Sequence, residues 1–207
     1  MNLEKAFREA ARAASGAVEA AMEKYRLGHV TDEDDLTGVL IGRLDAEFDR
    51  SYGGINWSSS ILRHRKGIAA QEKQAGADML IHVSLETPSL TYSKGILVQA
   101  KRVERDEKMT EAGHKELMAQ CKKMLNVTPA SFVFDYSTAG MRCGSAIRVS
   151  GSGSRDLYSS CHLTPYRFFL ELFRCTTGDT NITSPRFDDL KIPTGLHLAG
   201  RIPEENL

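Results

Sequence analysis

Apolar positions recurring every three or four residues mark the first part of the chain as helical. Leu3, Phe7, Ala10, Ala14, Ala17, Val18, Ala21, Met22 and Tyr25 fall on one face of a helix running from Leu3 to about Leu27. Its small-residue face suits close packing, either as a cover for the core or as a surface for self-association. Gly28-His29-Val30 breaks it. A second helix is predicted from Thr31 to Phe48, with Thr31 and Asp34 spaced like a capping box and with Glu33, Leu36, Thr37, Leu40 and Leu44 on one face.

The pattern then changes. Ser51 to Ser60 is rich in Gly and Ser and reads as a connecting loop. Gln71–Gln74, a turn at Ala75-Gly76 and the apolar run from Asp78 to Leu85 read as an antiparallel hairpin. A loop from Thr87 to Lys94 leads to a second buried run, Gly95 to Val103. Downstream, the spacing predicts a helix from about Glu107 to Leu125 and a strand at Ser131–Ser137. It also predicts a short strand at Ala146–Val149, a loop at Gly151–Ser154, and a helix from Thr164-Pro165 through Cys175. From Thr176 onward three of the six prolines and little periodicity suggest a tail wrapping the surface. No internal repeat or composition break is present. The expected organisation is one domain over residues 1–207, made of an N-terminal helix (1–30), a core (31–137) and a strand/helix extension with tail (138–207).

Composition changes this picture little. The 27 basic and 27 acidic residues cancel, so a nucleic-acid role would require local concentration of Lys and Arg or a partner that does the binding. The densest basic run is Arg63-His64-Arg65-Lys66, which suits phosphate contact but equally a solvated turn. There is no apolar run of membrane-spanning length and no signal-peptide pattern at the N-terminus, so a cytoplasmic protein without membrane partners is expected. The four cysteines form no CxxC pair; a composite zinc site of Cys161, His162 and Cys175 is a minor alternative to buried thiols.

The candidate chemistry lies at the ends of the two apolar runs. Gly76-Ala77-Asp78 opens the first, and Gln99-Ala100-Lys101 closes the second. Residues two apart on a strand share a face. If these strands pair, a carboxylate, an amide and an ammonium converge on one patch, a set suited to a hard metal ion beside a phosphate. The competing possibility is a turn-capping Asp78 and a solvated strand end at Lys101-Arg102.

Asp78 followed 21 residues later by Gln99-Ala100-Lys101 resembles the signature of the PD-(D/E)xK nuclease superfamily, which includes restriction enzymes, junction resolvases and repair nucleases. Gln99 replaces the usual acidic residue, a variant similar to Mrr-type restriction enzymes. The resemblance covers roughly residues 31–137. It implies an α/β, restriction-endonuclease-like core, a mixed central sheet flanked by helices. It further implies a metal-dependent endonuclease using Mg2+ or Mn2+, held by Asp78, Glu33 from the first core helix, the Gln99 side chain and the Ala100 carbonyl. Lys101 would be the most specifically catalytic residue. DNA is the implied substrate, with RNA possible, and Arg63, Arg65, Lys66 and Arg102 are candidate phosphate contacts. Cutting both strands would need a homodimer or sequential nicks, and a defence or restriction role inside a multi-protein system is implied. Gln120 and Met124 resemble the QxxxY helix motif of some members with Met in place of Tyr, and a surface glutamine is the simpler expectation there. The alternative from another class is a nuclease-fold module that binds nucleic acid or a partner without cleaving.

Overall fold

The computed structural model describes residues 2–63, 75–184 and 192–202. Helix α1 (Leu3–Arg26) is capped by Asn2, whose side chain accepts from the Lys5 amide at 3.1 Å. Its alanine-rich face, from Ala6 to Met22, is buried, so α1 is a core-covering helix. Helix α2 (Glu33–Glu47) is capped by Asp32, whose side chain accepts from the Asp34 amide. The predicted cap at Thr31 is therefore displaced by one residue.

The Ser51–Ser60 region is not a loop. Ser51–Tyr52 (β1) and Ile55–Arg63 (β2) form a hairpin around Gly53 and Gly54, both at positive φ, as a two-residue hairpin turn requires. The strand pattern is present in alternation, with Ile55 and Trp57 buried and Asn56 and Ser58 exposed, beneath a serine-rich composition of low strand propensity.

Strand β3 (Met79–Glu86) pairs antiparallel with β4 (Thr91–Arg102). The hairpin partner of β3 is thus the following run, and the predicted partner at Gln71–Gln74 lies outside the described residues. Helix α3 (Glu111–Val127), capped by Thr110, begins four residues later than its pattern suggests. It leads to β5 (Ser131–Ser137), parallel to β4. Strand β6 (Gly140–Ser145) runs antiparallel to β5.

The predicted strand at Ala146–Val149 is instead part of helix α4 (Ala146–Ser152), capped by Ser145 and closed by Gly153 in the left-handed conformation. Four apolar-rich residues carry too little period to separate the two states, whereas the caps at either end settle it. Residues Gly151 and Ser152 accordingly belong to a helix end. Short α5 (Leu157–Ser160) and α6 (Pro165–Phe173) follow, the latter capped by Thr164 with proline in its first turn.

The tail holds the largest departure. Thr194–Arg201 forms β7, inserted between β2 (antiparallel) and β3 (parallel). The sheet order is β1-β2-β7-β3-β4-β5-β6, a seven-stranded mixed sheet. Leu196 and Leu198 face the core, but Gly195, Ala199 and Gly200 dilute the alternation. A side chain at Gly200 would crowd Ile55, Leu85 and Trp57.

Two apolar layers cover the sheet. On one face Met79, Ile81, Ile96, Val98, Ala100, Phe132, Phe134 and Tyr136 pack with α1, α2 and α6. On the other, Leu80, Leu97 and Val133 pack with α3 and α4. The structure is therefore α/β with helices on both faces of a mixed sheet. Among the described residues no helix is long and apolar enough to cross a membrane.

Candidate active site at the β3–β4 edge

The turn before β3 aims the site. Gly76 has φ +71°, and an added Cβ would lie 2.6 Å from the Gln120 carbonyl oxygen. Glycine alone lets this turn pass under α3 in the left-handed region. Gly76→Ala is expected to lower stability by about 1–3 kcal/mol through strain and that clash, read as a lower melting temperature than the parent's.

From this turn the chain enters β3 with Asp78, whose amide donates to the Val98 carbonyl at 2.9 Å. The Met79–Val98 register, continued by one residue, sets Asp78 opposite Gln99. Asp78 Oδ2 accepts from Gln99 Nε2 at 2.6 Å and from the Ala100 amide at 2.7 Å. Gln99 is fully buried and its Nε2 also donates to the Ala100 carbonyl at 3.0 Å, while its Oε1 is buried without a hydrogen-bond partner. The neutral amide matters here: a second carboxylate against Asp78 would repel it, whereas Gln99 donates to it.

Helix α2 brings the second carboxylate. Glu33 occupies the first turn, and its Oε1 accepts from Lys101 Nζ at 3.2 Å while its Oε2 accepts from the Arg102 amide at 2.8 Å. The ion pair is largely enclosed, with side-chain exposures of 16% for Lys101 and 29% for Glu33. Asp78 and Glu33 both act on the buried Tyr136 phenol, whose pKa is raised by burial first and then by these two charges, against the Thr37 hydroxyl 3.3 Å away. The fold therefore gathers Asp78, Gln99, Ala100, Lys101 and Glu33 at one end of the β3–β4 hairpin.

Of the remaining predicted residues, Arg102 lies beside this group. The Arg102 guanidinium donates to the Thr31 carbonyl and lies over the Tyr25 ring, tying the α1–α2 corner to β4. Arg63 ends β2, and Arg65 and Lys66 lie outside the described residues. The zinc alternative fails: Cys161 packs on the α3 side of the sheet while Cys175 sits on the opposite face beside Lys94. Gln120 departs from a plain surface residue, because its side-chain oxygen is buried without a partner.

Pattern reading missed Asp135 and Arg142. Lys101, Asp135 and Arg142 are successive cross-strand partners on β4, β5 and β6, so their side chains stand on one sheet face. Asp135 is fully buried and neither carboxylate oxygen has a hydrogen-bond partner. Burial pushes its carboxyl up to about 7; approach of the Val103 amide and the Arg142 charge oppose the shift, while Glu104 and Asp156 add to it. An Asp inside an otherwise apolar strand (Phe132-Val133-Phe134-Asp135-Tyr136) was the available signal.

A hard cation would fit this donor set in part. The two carboxylates are oxygen donors of the right class, whereas Gln99 turns its Nε2 to Asp78 and the Ala100 carbonyl, so the two neutral oxygens of Gln99 and Ala100 could join only if that amide turned over. Among the described residues no three of His, Cys, Asp and Glu are grouped as a metal site. Comparison of the chain with protein-family models, curated proteins and solved structures finds no match, so its chemistry has to be read from these residues.

Proposed function

We propose that this chain is a metal-dependent nuclease that hydrolyses phosphodiester bonds, with DNA as its substrate, built on a restriction-endonuclease-like core. The observation that carries the reading is the meeting of Asp78, Gln99, Lys101 and Glu33 at the mouth of one hairpin. Asp78 and Glu33 would hold Mg2+ or Mn2+, with neutral oxygen from Gln99 and the Ala100 carbonyl. Bound there, the ion supplies an acidified water and draws charge from the phosphate. Lys101 lies beside Glu33 and is placed to orient the attacking water or to stabilise charge developing on the phosphate. With two carboxylates instead of three, metal affinity should be low until a substrate phosphate adds its own oxygens. One such site cuts one strand, so double-strand cleavage would use a homodimer or two nicks. A place in a bacterial or phage defence system is the role this chemistry suits.

The test is incubation of purified protein with supercoiled plasmid and with single-stranded DNA, under magnesium, manganese or chelator. Metal-dependent cutting by the parent, lost in Asp78→Ala and Lys101→Ala, is the expected result. Folded protein that binds DNA without cutting under any metal would replace the nuclease with the non-cleaving binding module, and cutting that survives both substitutions would remove this site.

A further inference from the structure

Lys101 is committed to Glu33 in this structure, its Nζ 3.2 Å from Oε1. A divalent cation at Glu33 would compete with that ammonium for the same carboxylate charge. The displaced ammonium needs a second anionic place close by. The sheet provides one. Asp135 is the β5 partner of Lys101 in the β4–β5 ladder, its side chain stands on the same face, and adjacent strands lie about 4.8 Å apart, within the span of a lysine side chain. Both Asp135 oxygens are buried without a side-chain donor, the Val103 amide being the backbone group that acts on them, an arrangement that costs stability unless a further donor arrives.

We infer that Asp135 is a positioning residue for Lys101, accepting one of its three N–H donors when Glu33 turns to a metal ion and leaving the others for water or phosphate. This rests on the nuclease reading for its purpose and on the sheet register for its geometry. Arg142, the other cross-strand neighbour, is the competing cation. Its guanidinium stacks over Tyr158, 4.7 Å from the ring centre, and its Nε is buried without a partner. Its charge already acts on Asp135, but strand order sets it on the β6 side and leaves the β4 side to Lys101. Of the other charged groups acting on Asp135, Glu104 and Asp156 are acidic and offer it no donor.

Two measurements test the inference, one of them free of metal and of activity. A crystal structure of Glu33→Gln should show Lys101 Nζ within hydrogen-bonding distance of an Asp135 oxygen; Lys101 pointing to solvent there overturns the proposal. Calorimetric titration with Mn2+ should show Asp135→Asn binding about fivefold or more weakly than the parent, with the penalty absent in a Lys101→Met background and reversed by Asp135→Glu. Equal penalties with and without Lys101 would make Asp135 merely structural and also overturn it. A parent that binds no Mn2+ and cuts no DNA removes the nuclease reading, and the Glu33→Gln structure then decides the lysine exchange alone.

Discussion

On the proposed nuclease reading, Lys101→Ala should lower metal-dependent DNA cleavage by about a hundred- to a thousandfold, the usual cost of removing one charge-stabilising donor from a reaction centre. The fold should survive it. Lys101 spans only a β4 end, and Glu33 keeps its bond from the Arg102 amide. Asp78→Asn is the complementary change. Its amide oxygen can still accept from the Ala100 amide, so the turn into β3 is kept while the charge that would hold a cation is lost. Cleavage should fall at least as far as in Lys101→Ala, and raising manganese should recover only a small part. Single-turnover rates on a labelled oligonucleotide, with circular dichroism of each variant, measure both. A folded Asp78→Asn protein cutting at the parental rate would end the assignment of this residue.

Asp135→Asn should stabilise the protein at pH 8 and do so much less at pH 5. The Asp135 carboxyl is raised from 3.8 to about 7 by burial. Between those values the folded chain holds a proton that the unfolded chain has released, so stability falls as pH rises through that window. Above it the fold carries a buried charge. Asparagine keeps the shape and removes the charge. The gain at pH 8 is about 2–4 kcal/mol at most, or roughly 5–15 °C in melting temperature for a chain of this size. Melting curves at the two pH values check it, and a gain that is the same at both would show that the folded-state carboxyl titrates below pH 5. A buried, unpartnered carboxylate that weakens the fold at neutral pH is the kind of local cost found at functional sites. That is why its position beside Lys101 bears on the proposed mechanism as well as on stability.

Several elements are legible in the sequence alone. The α1 stripe, the α2 stripe, β5 at Ser131–Ser137 and the Thr164-Pro165 start of α6 all follow from local period and capping chemistry. The meeting of Asp78 with Gln99 is legible too, because each stands at the end of an apolar run, and a two-residue step keeps Gln99 and Lys101 on one face. Where composition and period disagree, composition misleads. The serine-rich β2 and the glycine-diluted β7 both hide an alternation that packing makes visible.

Local pattern therefore specifies α1, α2 and α6, the ends of the β3 and β4 runs and the residue types that could share a site, since those depend on neighbours a few positions away. Strand order does not follow from it. The insertion of β7 between β2 and β3, the approach of Glu33 to Lys101 across 68 positions, and the placing of Asp135 between Lys101 and Arg142 are pairings between distant segments. Their free energy comes from burying whole faces against one another, and no short window of residues encodes it.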